Sequence, residues 1–284
     1  MKEFKKSYKV DIVDVLKRRF VSKTLHEFIY LYDKKYPNLA VFSRDHVGIR
    51  VQVDGLYEKP YLEFFIEWLK FNKFNFSGLV LDVGANIGNH SVFFDQYFHK
   101  VISFEPNPST YHLLSYNATL GKNITTYNYG ISEIDSETFM SSMDGNAGGA
   151  YVDINGTISI KLINLDNFLK LEEKISLIKI DVEGHELSAL KGMSKTISQN
   201  KPLILFEQHL RDFKGSENEV INYLNTLGYK KFAYINDGVM NNGFFNKIKK
   251  LFIKERKMII ETSLRPDFYI FIIAIHEDEE SKFI

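Results

Sequence analysis

The chain has 284 residues, of which 44% are hydrophobic and 25% charged, enough for one large domain or a domain with an appended cap. Its 36 Lys and Arg balance 36 Asp and Glu, so net charge gives no reason to expect a nucleic-acid or acidic partner. The lack of cysteine excludes disulfides, thiolate metal sites and cysteine nucleophiles, and suits a cytoplasmic protein.

The opening run "MKEFKKSYKVDIVDVLKRRF" is basic and lacks the apolar core of a signal peptide. No apolar run approaches bilayer length. Residues 3–35 read as helix, broken once, with Val13, Leu16, Phe20, Leu25, Phe28 and Ile29 on the apolar side, ended by Pro37. Next, Val47, Ile49, Val51 and Val53 alternate with Gly48, Arg50 and Gln52, the period of a half-buried strand. "DGLY" turns the chain, and Leu62, Phe65, Ile66 and Leu69 follow at helical spacing. Residues 1–76 therefore read as an N-terminal helical arm and hairpin cap, and 77–284 as the main domain.

From Leu79 strands and helices alternate, which predicts an α/β, doubly wound and mostly parallel sheet. Strands are expected at 79–83, 100–104, 123–129, 175–181, 202–207, 229–234 and 267–275, and helices at 88–97, 108–119, 184–198 and 216–227. The polar, turn-rich residues 132–161 replace a crossover helix with a hairpin or covering loop. Residues 236–264 form an insertion carrying the basic run "NKIKKLFIKERK".

Open parallel sheets bind ligands beyond the carboxyl ends of their strands, beside the first one. There "LVLDVGANIG" places Asp82 at the strand end, and Gly84 and Gly88 allow close backbone approach. The loop lacks the G-x-G-x-x-G and Gly-Lys-Ser/Thr spacings of pyrophosphate and phosphate sites, and Asp82 would repel such anions. S-adenosylmethionine suits it better: Asp82 answers its positive charge, and loop amides receive its carboxylate. "FEPNP" ends the second strand at Glu105, placed to accept both ribose hydroxyls. Pro106 and Pro108 stiffen that turn, and Asn107 can hydrogen-bond ligand or backbone.

A third strand runs into "IDVEGHE". If it stays extended, Asp181 and Glu183 point to one side, where they could orient a substrate hydroxyl or take its proton. Glu186 suits the first helical turn, and His185 is assigned to solvent. The next strand ends "FEQH", with Glu207 and His209 on one side; histidine is the usual base near neutral pH. The same group could hold a hard divalent cation, but no metal is assigned.

"DVGANIG", "FEPNP", "IKIDVEGHE" followed by "SALKGM", and "FEQH" together resemble the FkbM family of S-adenosylmethionine-dependent methyltransferases, over roughly Val47 to Leu227. "GLYE", "NYGIS", "GNAGGAYV" and "NLDNFL" extend the likeness. The resemblance implies a class I methyltransferase, Rossmann-like sheet with an antiparallel last strand, and methyl transfer to a hydroxyl of a sugar, surface polysaccharide or secondary metabolite. By position it implies that Asp82, Gly84, Ala85 and Asn86, with Glu105, Pro106 and Asn107, hold the cofactor. It also puts Glu58 near the methionine end, Ile131 against adenine, and Asp181, Glu183 and His209, beside Glu207, facing the acceptor.

The rival readings are a methyltransferase of RNA or protein, and a non-catalytic scaffold that binds the cofactor. Nucleic acid is not the expected partner. A small-molecule or glycan acceptor is, with 244–258 as a candidate membrane-surface or oligomer contact.

Overall fold

All five residues from Leu79 to Val83 are buried, which requires a packed layer on each face of the strand. The computed structural model describes residues 11–32, 36–143, 146–170, 172–215, 217–236 and 256–283. Three helices come first: α1 (Ile12–Tyr32), α2 (His46–Asp54) and α3 (Lys59–Phe71). The main sheet begins with β1 (Leu79–Val83), α4 (Asn89–Phe94), β2 (Lys100–Phe104), α5 (Pro108–Ala118) and β3 (Ile124–Tyr127). Then come β4 (Gly130–Ile131), β5 (Ser136–Met143), β6 (Asn146–Val152), β7 (Ile158–Ile163) and α6 (Leu165–Phe168). The chain returns through β8 (Ile175–Ile180), α7 (Glu186–Lys191), α8 (Ser194–Asn200) and β9 (Leu203–Gln208). After the short pair β10 (Phe213–Lys214) and β11 (Glu217–Asn218), it ends with α9 (Glu219–Thr226), β12 (Tyr229–Asn236), β13 (Lys257–Glu261) and β14 (Tyr269–His276).

The main sheet runs β13-β12-β14-β9-β8-β1-β2-β3. The segment from β3 to β9 is parallel, and β14 lies antiparallel between β9 and β12. This is the Rossmann-like order expected of a class I methyltransferase, with the chain reversing direction across the sheet at β1 and β8. Leu81 and Val83 pack into the apolar layer shared with α7, α8 and α9, while Val80 packs with Leu62, Phe65 and Leu69 of α3. The second sheet, β4-β7-β5-β6, forms where the polar segment was expected to make a hairpin; β5 and β6 are that hairpin.

Three expectations are corrected. Residues 46–53 are helix, not strand: Asp45 caps α2 by accepting from the Gly48 amide at 3.2 Å, and Val47 and Val51 are buried while Ile49 is exposed. The valine pattern fits both periods, and the cap with Gly55 at φ 81 decides for helix. Residues 184–198 hold two helices, because Gly192 closes on the Ser132 carbonyl, 2.0 Å from where a Cβ would stand, and α7 ends there. The span read as an insertion contributes β13, an eighth strand paired with β12.

The arm residues 3–10 and the basic run from Lys247 to Lys254 lie outside the described residues, as does most of the candidate contact 244–258. No helix among the described residues is long and apolar enough to cross a membrane.

Candidate active site

Two turns at the carboxyl edge of the sheet, one after β1 and one after β2, build the floor of a cleft. The Gly84 and Ala85 amides donate to the Phe104 carbonyl at 3.0 and 2.9 Å, binding the first turn to the second strand. Gly84 has φ +75, and a Cβ there would stand 1.9 Å from the Asp181 carbonyl oxygen, so only glycine fits without displacing backbone. Glu105 joins the turns: its Oε2 accepts from the Asn86 amide at 3.0 Å and its Oε1 from the Asn107 amide at 2.8 Å. Asn107 also caps α5 by accepting from Ser109.

The cleft is lined on one side by Ile131, Met140, Ala150, Val152 and Leu162, and on the other by Asp181, Val182, Glu183 and His185. Gly84, Asn86, Glu105 and Pro106 form its floor. Ile131 is 1% exposed, at the end of β4 in the small sheet. The apolar wall is therefore supplied by the segment expected to form a hairpin or covering loop. Its signal was the alternation in "TISIKLI", read there only as part of a polar stretch.

Beyond the cleft lies a group of charges on the α3 and α4 side of the sheet. Asp82 is fully buried; its Oδ2 accepts from the Ser91 hydroxyl at 2.6 Å and its Oδ1 is 3.3 Å from Lys179 Nζ. Lys179 is itself 4% exposed, donates to the Gly84 carbonyl at 2.7 Å and stands 3.4 Å from Asp181 Oδ2. Burial opposes its charge, but Asp82 and Asp181 outweigh that, and the lysine pKa is raised. Lys179 was missed in the sequence, although a lone lysine inside "LIKID" is a signal, since a buried strand tolerates a charge only with partners.

Glu207 and His209 meet, Nε2 to Oε1 at 3.5 Å, and the His209 ring tilts over Phe268 with centroids 5.2 Å apart. Burial pushes the Glu207 pKa up to about 8, reinforced by the charges of Asp181, Glu58 and Glu183. Glu105 is pushed up to about 7 by burial, against the two amides that favour its anion. Glu58, in the left-handed region at φ 54, faces His90 at 3.2 Å. It and burial raise the Tyr57 hydroxyl pKa, with burial the larger cause.

The expected residues thus divide. Gly84, Asn86, Glu105, Pro106, Ile131, Asp181 and Glu183 line the cleft. Asp82, Ala85 and Asn107 are buried beneath it, and Glu58, Glu207 and His209 stand on its charged flank. Asp82 spends its charge on Lys179 rather than facing a ligand. The loop amides expected to receive a carboxylate are engaged at Gly84, Ala85, Asn86 and Gly88. β8 ends at Ile180 and Glu183 has φ 47, so the two acids do not share a strand face; Glu183 is held instead by Arg211 at 3.0 Å. His185 is not left to solvent: it lines the cleft 3.1 Å from the Ser132 hydroxyl, and burial lowers its pKa. Glu186 accepts from the Gly184 amide at 3.0 Å, in keeping with its role at the helix start. Among the described residues no three His, Asp or Glu side chains converge to hold a metal.

These residues fit S-adenosylmethionine. Glu105 offers an acceptor pair beside an apolar wall that suits a nucleoside, and Asn86 Oδ1 is a buried acceptor without a partner on the cleft floor. The charged flank is net acidic, which suits a cofactor bearing ammonium and sulfonium groups.

Sequence comparison with known proteins gives the same direction. Residues 82–231 match the model of the methyltransferase FkbM domain. The hexuronic acid methyltransferase AglP of Haloferax volcanii is 33% identical over 132 residues, 45% of this chain and 54% of that protein. The chain spans about half the length of this curated relative. A crystal structure of methyltransferase FkbM from Methylobacillus flagellatus aligns over 69% of this chain and 49% of its own, at 20% identity and TM-score 0.36. Magnesium protoporphyrin IX methyltransferase from Synechocystis aligns over 94% and 100%, at 14% identity and TM-score 0.43.

Proposed function

Because the chain belongs to the FkbM family of S-adenosylmethionine-dependent methyltransferases, we propose that it methylates a hydroxyl of a sugar or sugar-bearing acceptor. The observation that carries this reading is the seating of Glu105, fixed by two amides at the floor of a cleft with one apolar and one acidic side. The likeness to a hexuronic acid methyltransferase supports a sugar acceptor.

In this reading Glu105 accepts from the ribose, Ile131, Val152 and Leu162 enclose the adenine, and Asn86 receives a ligand N–H. When bound, S-adenosylmethionine supplies a methyl group on a sulfonium, whose thioether leaves without acid assistance. Asp181 and Glu183 orient the acceptor, Glu183 held still by Arg211. Glu207, whose pKa is raised to about 8 so that its carboxylate is a stronger base than an ordinary one, takes the hydroxyl proton from its ionised form as the new oxygen–carbon bond forms, and His209 holds its carboxylate.

The test has two stages. Calorimetry with S-adenosylhomocysteine measures cofactor binding, and wild type without affinity overturns the reading. Label transfer from the methyl-tritiated cofactor is then measured with neutral sugars, hexuronic acids, nucleotide sugars, RNA and protein. Methylated sugar supports the proposal; transfer confined to RNA or protein defeats the acceptor assignment.

A further inference from the structure

Resting on that reading of the cleft, we infer that Lys179 is a positioning residue that ties Asp181, on the cleft wall, to the Gly84 turn of the cofactor loop. A lysine 4% exposed in the centre of a parallel sheet demands compensation, and one carboxylate would supply it. Lys179 has more. Its ammonium faces Asp82 at the end of β1, the Gly84 carbonyl in the turn that follows, and Asp181 after β8, at 3.3, 2.7 and 3.4 Å. An ammonium has three donors, so the end of β1 with its turn and the residue after β8 are referenced to one point.

The three acceptors differ in what they present to the cleft. Asp82 is wholly enclosed, its second oxygen accepting from Ser91, whose own hydroxyl accepts from Ser103. Register places Asp82 between Ser103 on β2 and Lys179 on β8, so this row crosses three adjacent strands. Asp181 has a side chain 37% exposed and lines the cleft. Two carboxylates around one ammonium leave one negative charge, and the exposed acid is where it is presented. A pair serving the interior alone would stop at Asp82.

Asp82 on β1 and Asp181 after β8 face this ammonium, and its charge is also felt by Glu105 after β2, Glu207 on β9 and Glu58 before α3. The Lys179 charge favours the ionised forms of both Glu105 and Glu207. Through position and charge it therefore reaches the cofactor floor and the acceptor flank at once, without touching either ligand.

The experiment compares wild type with Asp82→Asn/Lys179→Met, which removes the interior pair as a unit. S-adenosylhomocysteine affinity is measured by calorimetry from about pH 6 to about pH 9, across the raised carboxylate range. The double variant is expected to melt close to wild type yet bind about tenfold or more weakly, as when a charged group loses its partner. The pH below which binding weakens should also move upward, because Glu105 loses a neighbouring cation. Wild-type affinity with an unmoved pH dependence overturns the role. Should the double variant not fold, Asp181→Asn alone tests the solvent end of the tie: weakened binding with an unchanged melting temperature supports it, and full affinity overturns it. Wild type that binds no S-adenosylhomocysteine sinks the function reading itself, whereas equal binding by wild type and variant sinks only Lys179.

Discussion

The two sides of the cleft are made by different physics. The side toward β2 and the small sheet is built from backbone and apolar surface: glycine turns, amides closed on Glu105, and Ile131, Val152 and Leu162 as wall. The side toward β9 is built from charges that perturb one another, with Lys179 and Arg211 set among Asp82, Asp181, Glu183 and Glu207. Backbone geometry gives a site of fixed shape. Interacting charges give one whose protonation depends on its neighbours, which is what an acid–base step uses.

This contrast can be broken most sharply on the charged side. Glu207→Gln is expected to cut methyl transfer about 10²–10⁴-fold while cofactor affinity stays near wild type, read by single-turnover label transfer beside calorimetry. An equal loss of binding would mean that the two sides do not divide the labour. On the backbone side, Glu105→Ala should weaken S-adenosylhomocysteine binding about 10- to 100-fold; unchanged affinity removes the carboxylate from the ribose assignment.

Gly84→Ala joins the sides, since the new methyl would meet the Asp181 carbonyl at a positive φ. A loss of about 1–3 kcal/mol in folding stability is expected, measured by denaturant titration, and an unaffected midpoint would refute the close approach. The smallest effect is on pH. Glu207 and Glu105 have native pKa values of about 8 and about 7, above the ordinary 4.5. The native state thus holds protons that the unfolded chain has lost, so their contribution to stability declines as pH rises from the ordinary carboxylate value toward about 8, then levels off. Melting temperatures of wild type and Glu207→Gln across that window check the sign: the variant should show the shallower decline.

The same division explains what could be read in advance. The seven strands expected after Leu79, the glycine turn and Glu105 were legible because each is a local pattern: burial on both faces, a φ available to glycine, an acid at a strand end; β13 and the small sheet carry no such run. Residues 46–53 misled because Val47 and Val51 satisfy both strand and helix periods, and only the Asp45 cap and the Gly55 turn choose. Asp82 was recognised as important but its pairing with Lys179 was not, since a strand-end acid does not announce which side of its own sheet carries a lysine.

By itself, then, the sequence determined the seven strands expected from Leu79 onward and the glycine turn after β1, because these follow from periodicity and backbone preference within a few residues. Only the tertiary structure decided that Lys179 takes Asp82, that Arg211 takes Glu183, that His185 faces the cleft, and that the small sheet walls it. Electrostatic partners and cavity walls are set by distance between segments far apart in the chain, and no local pattern encodes that distance.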